Sequence, residues 1–347
     1  MLSHRVFFVI FMHATLVLGR VAESEDDPGQ RYLRAAARPG VSAFEKKAYE
    51  QLALLHRGTF AMFMWRLKLT PNHGPPKDAM GVLYGMGIDV LPVLSEALDD
   101  RTPSQTFIYD WRMIFNSKET WPVSPATLRE ARVGQWKVNE LVGALICTIA
   151  ERNFAVTQRG SSVNIQDIGQ KPALVPQFKH LVLDWYRENV GRTPLERNIA
   201  DLNSDIPANR WAAIAGIGMR KEGGAQAAVV KHLENILAHG MTDRWSVREL
   251  SQGVLTLGQL GDSSSAALVH RICKELARFA ETTKFSVSYD RGHTCSDLFT
   301  AYRGLALLGK KREALKELDE LHKRSSGQWR PNVEEEYQTN LAKAGRW

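Results

Sequence analysis

The chain has 347 residues and a mass of 39.0 kDa, with 44% hydrophobic and 24% charged residues. These globular values exclude wholesale disorder, and the 26 glycines and 14 prolines carry no collagen-like period. Three cysteines (Cys147, Cys273, Cys295) exclude a disulfide-rich scaffold and a four-cysteine zinc site, and a net charge of +7 favours anionic partners.

The N-terminus reads as a targeting segment. His4 and Arg5 precede an apolar run over 6–18, and Val17-Leu18-Gly19 places compact residues before a cleavage point after Gly19. That is the layout of a signal peptide, and the run falls short of the about 18 residues a spanning helix needs. Residues 1–19 are therefore expected to direct export to a periplasmic, envelope or extracellular location. Retention of the segment as a membrane anchor is the alternative. Removing 1–19 takes away Arg5 alone, so the mature charge is +7 − 1 = +6. Export makes nucleic acid a poor partner and favours a protein or an anionic envelope component. The stretch 20–40, acidic at Glu23, Glu25, Asp26 and Asp27, reads as a flexible leader.

From residue 41 the hydrophobic period is helical. In a divergent region over 41–191, apolar residues recur at three- and four-residue steps in 44–55, 90–98, 138–149 and 174–185. An insert at 101–137 differs: it carries Trp111, Trp121 and Trp136 with Pro103, Pro122 and Pro125, and no sustained period. Its aromatics either form an exposed surface for a sugar or a partner, or pin a long connection onto the helices. Over 192–325 the helical segments are 211–217, 228–237, 247–257, 267–279, 298–308 and 314–321, and 326–347 reads as a C-terminal tail. Thr193-Pro194-Leu195-Glu196 is a capping box, Asp205 is placed to cap a helix opening near Ala208, and Gly218, Gly261 and Gly309 fall where helices should end. Alternating strand patterns are nearly absent.

An internal repeat stands out in 192–325. Arg210-Trp-Ala-Ala213-Ile-Ala-Gly216-Ile-Gly218 aligns with Leu250-Ser-Gln-Gly253-Val-Leu-Thr256-Leu-Gly258, with small residues at the same offsets. A third unit would end at Gly309, with an insertion over 285–297, and a second amphipathic helix follows each glycine. With Asp205, Arg210, Ala213 and Ile217-Gly218, then Leu257-Gly258-Gln-Leu260-Gly261-Asp262, the chain resembles the HEAT repeat family, in particular the short bacterial HEAT-like repeats of phycobilin lyases. In the second unit Leu250 and Gly253 occupy the family's Arg and Ala positions, a departure from the pattern. The last pair, 301–323, is equally similar to a tetratricopeptide hairpin. The resemblance implies an all-α fold, an α-solenoid of stacked hairpins in a right-handed superhelix. It makes Asp205, Arg210, Ala213, Gly218, Gly258 and Asp262 structural positions, with Arg210 and Asp205 bonding between repeats.

Signatures of chemistry are missing: the chain holds no phosphate-binding glycine loop, dinucleotide fingerprint, His-Glu-x-x-His pair, Gly-x-Ser-x-Gly elbow or haem-attachment Cys-x-x-Cys-His. Asp290, His293, Cys295 and Asp297 are the right types for a metal or an activated thiol, but Asp297 can simply cap a helix starting at Leu298. His73 sits in a proline-glycine turn, and His56, His232, His239, His270 and His322 lie in helices without an i, i+4 ligand pair. The sequence thus leads to an exported, non-enzymatic scaffold without cofactor or metal, whose candidate binding residues are Trp111, Trp121, Trp136, His293 and Cys295. The alternatives are a helical lyase or hydrolase with its site at 289–297, and a membrane-anchored envelope protein.

Overall fold

The computed structural model describes residues 27–57, 78–109, 132–158, 161–241, 243–283, 291–325, 329 and 331–347. The chain divides into two compact units next to the sequence boundary at 191/192. One holds the chain up to Ala150 with Phe154–Val190, the other Glu151–Asn153 with Gly191–Trp347. Each has its own hydrophobic core, and the described residues are mostly helical.

The first unit contains α1 (Gln30–Ala36), α2 (Ala43–Leu52), α3 (Ala79–Gly85), α4 (Leu91–Glu96), strands β1 (Pro103–Tyr109) and β2 (Arg132–Lys137), α5 (Val138–Ala150), strands β3 (Ala155–Gln158) and β4 (Ser161–Asn164), and α6 (Val175–Asn189). Local chemistry starts the helices. Ser42 and Glu45 form a reciprocal capping box on α2, and the Asp78 carboxylate accepts from Gly81 N at 2.9 Å on α3. α5 is apolar almost throughout, and its side chains are buried on nearly every face against α3, α4 and the short turns at 97–99 and 165–170. No single described helix is long and apolar enough to cross a membrane. Only α3 with the segment Gly87–Asp99, bent by 119°, reaches that apolar length, and its Leu83, Val90, Leu91 and Leu94 are buried.

Two expectations change here. Over 27–40 the leader is folded. Tyr32, Ala35 and Ala36 turn one face of α1 into the core against α2, and the Tyr32 hydroxyl donates to Asp100 at 2.6 Å. The insert at 101–137 begins and ends in strands, β1 pairing antiparallel with β2 through Phe107↔Gln135 and Tyr109↔Arg132. A second hairpin pairs β3 with β4, Ala155↔Asn164 to Gln158↔Ser161. Hairpins this short satisfy their backbone across one partner, and four to seven residues with bulges are too few to display alternation.

The second unit contains α7 (Pro194–Asp201), α8 (Pro207–Arg220), α9 (Gln226–His239), α10 (Arg244–Leu260), α11 (Ala266–Thr283), α12 (Arg291–Leu305), α13 (Lys311–Ser325) and α14 (Pro331–Ala344). α8 packs on α10, α10 on α12, and α12 on α14, while α9, α11 and α13 lie beside their sequence neighbours. The Thr193–Glu196 box forms as read, and Gly261 (φ +76°) and Gly309 (φ +81°) end helices in the left-handed region.

Four readings are corrected. Asp205 caps nothing: α8 opens on Ile206 with Pro207 in its first turn, and Asp205 is exposed. Gly218 lies inside α8, which runs on to Arg220 and ends at left-handed Lys221. Asp297 lies in mid-helix, because α12 starts at Arg291. The C-terminal tail holds α14, whose Val333 and Tyr337 are buried.

Candidate functional site

Polar groups link successive hairpins of the second unit. Arg210 on α8 donates twice to Glu249 on α10, both at 2.9 Å, and once to Ser204 O at 2.7 Å. Glu249 is 1% exposed and also meets His232 Nε2 at 2.8 Å. A carboxylate this deep persists only where a cation and hydrogen-bonding groups surround it. The Thr256 hydroxyl on α10 donates to Ile214 O at 2.9 Å, and Gln226 on α9 donates to Asp262 at 2.6 Å. Glycines supply close approach. A Cβ on Gly258 would collide with the Gly304 carbonyl of α12, one on Gly304 with the Val254 carbonyl, and one on Gly218 with Thr256 and Gln259.

One cluster has the composition of a chemical site. His270 on α11 places Nε2 2.5 Å from Glu317 Oε1 and 3.3 Å from Glu313 Oε1, both glutamates on α13. The Tyr302 hydroxyl on α12 donates to the other Glu317 oxygen at 3.0 Å. Burial, with Cys273 and Glu317 nearby, pushes the Tyr302 hydroxyl far above its ordinary pKa, so it serves as a fixed donor. Burial likewise pushes the Cys273 thiol well up. The three ligand-type atoms lie within 4.8 Å of one another and the side chains are half-buried. This is the one such group among the described residues.

Of the residues singled out in the sequence, Trp136 is half-buried on β2 and packs against the first core. It therefore holds β2 against that core. Trp111 and Trp121 lie outside the described residues, as do His73, the 285–289 stretch and Asp290. His293 stands in the first turn of α12, with its side chain outside what is described. Cys295 is fully buried, and burial, with Glu336 nearby, raises its thiol to about 12 against a weak hydrogen bond from Asn340. A neutral buried thiol is a poor nucleophile. Cys273 and Cys295 form no bridge with each other. Beyond Asn340 lies an open cleft of about 390 Å³ lined by Ser296, Glu335, Glu336, Thr339, Asn340 and Lys343.

Of the repeat positions, Ala213 is buried, Arg210 pairs with Glu249, Asp262 accepts from Gln226, and Gly218 and Gly258 stand where a Cβ would collide with a neighbouring helix. Sequence reading missed Glu249, His232 and the His270 cluster. Glu249 precedes Leu250 at the repeat's Arg position, and a charge next to an apolar stripe was the available signal. For the cluster there was none, since His270 and Glu317 are 47 residues apart on different helices. No protein family, no curated protein and no solved structure matches this chain.

Proposed function

We propose that residues 192–325 form a HEAT-like α-solenoid acting as an exported scaffold for a protein partner. The observation that carries the reading is the order of packing, α8 on α10, α10 on α12 and α12 on α14, with α9, α11 and α13 against their sequence neighbours. Each hairpin then shields the apolar face of the next, which is how repeat arrays hold together. Arg210–Glu249 and Thr256–Ile214 join α8 to α10, and the Gly258–Gly304 approach joins α10 to α12. The raised Cys295 thiol weighs against the alternative of a cysteine hydrolase at 289–297. For the docking spot, Trp245 at the start of α10 has Arg244 and Arg248 over its ring at 5.6 and 5.4 Å. Tryptophan and arginine are the residue types that dominate interface hot spots.

The test is photo-cross-linking from a reactive amino acid at position 245 in the producing cell. One discrete adduct, lost in Arg244→Ala/Arg248→Ala, supports the reading. No adduct, with co-sedimentation on anionic vesicles instead, makes the partner a lipid surface. N-terminal sequencing of the mature chain tests export: a start at Arg20 supports it, and an intact Met1 contradicts cleavage.

A further inference from the structure

In the His270 cluster one imidazole faces two carboxylates. Glu313 and Glu317 stand four residues apart on one face of α13, where two like charges repel. Against their two negative charges stand one imidazole and the exposed Lys310, which reaches Glu313 only at 4.0 Å. A divalent cation between the three groups would neutralise both carboxylates.

The geometry points to a binding site for a divalent transition metal ion of the zinc type, with His270 Nε2, Glu313 and Glu317 as its three protein ligands. Imidazole nitrogen with carboxylate oxygen is a donor set for such ions, and three ligands leave one tetrahedral position to water. Metal–ligand bonds of about 2.1 Å put neighbouring ligand atoms ~3.4 Å apart, and His270 Nε2 and Glu313 Oε1 are already separated by 3.3 Å. Glu317 Oε1, at 2.5 Å from the imidazole, would retreat by about 1 Å, a small rotation of a terminal torsion that is broad in glutamate. Tyr302 already orients Glu317 through its second oxygen, as groups behind a metal ligand characteristically do. The ligands come from α11 and α13, the second helices of adjacent hairpins, so the ion would tie one hairpin to the next. This inference stands independently of the docking role.

The experiment uses the full chain, stripped with a chelator, dialysed and titrated with zinc chloride by calorimetry at pH 7. One saturable site per chain is expected. His270→Ala and Glu317→Gln should each weaken it at least tenfold, while the surface variant His239→Ala leaves it unchanged. Circular dichroism checks that each variant folds, and Glu313→Gln replaces any that does not. Cobalt(II) added to the wild-type chain should give a tetrahedral visible spectrum without thiolate charge-transfer bands. Absence of saturable zinc binding, undiminished binding in folded His270→Ala and Glu317→Gln, or a thiolate–cobalt band would each overturn the site.

Discussion

Glu249 shows how single residues are constrained in the second unit. It is buried, and its stability there depends on Arg210 and His232. Deleting only the arginine leaves a desolvated carboxylate, so Arg210→Met is expected to cost about 3 kcal/mol in urea unfolding. Replacing both ends, Arg210→Met with Glu249→Leu, should cost clearly less, because no buried charge is left behind. A double variant as unstable as the single one would show that the pair contributes by shape rather than charge. Cys295 gives a second prediction. Its folded thiol is pushed up to about 12 by burial, so between the ordinary thiol range and that value the unfolded chain has lost a proton that the folded chain keeps. The stabilisation is complete below the unfolded pKa and is lost as pH rises through the folded one. Thiol labelling of the native protein at pH 8 should therefore detect no reaction at Cys295, with reaction only in denaturant. Rapid native labelling of Cys295 would contradict its burial.

At the scale of elements, the close crossing of α10 and α12 rests on Gly258 and Gly304, where backbone meets backbone. Backbone cannot swing aside as a flexible side chain can, so Gly258→Ala should destabilise by about 2 kcal/mol despite alanine's better helix propensity. Gly223→Ala, where nothing lies within 4 Å, should stay within about 0.5 kcal/mol. Equal effects in thermal unfolding would place the helices further apart than described. These elements also show how much the sequence made legible. Helices α5, α6 and α8 to α13 follow from a 3.6-residue period, and the Thr193 box, Gly261 and Gly309 from capping chemistry, because each signal is local. The apolar-glycine pair at Ile217-Gly218 resembles a helix end, yet Gly218 lies inside α8. Its actual role, admitting Thr256 and Gln259, depends on a helix that comes later in the chain. The strands were hidden for the same reason, since β1 is defined by a partner across the whole insert. The His270 cluster was hidden because α11 and α13 bring its members together only after packing.

At the scale of the whole molecule, the two units have separate cores, and in the second α8 packs on α10, α10 on α12 and α12 on α14. If residues 192–325 are an array of hairpins, stability is distributed locally and a defect near one end is not felt at the other. Leu318 on α13 is fully buried, and Leu318→Ala should remove about 2–5 kcal/mol from its surroundings. Amide hydrogen exchange of the intact Leu318→Ala chain, followed by mass spectrometry, reads this directly. The account predicts faster exchange in α11 to α14 with unchanged protection in α7 to α9. A uniform loss of protection from α7 to α14 would mean one indivisible core, and would contradict the stacked-hairpin account.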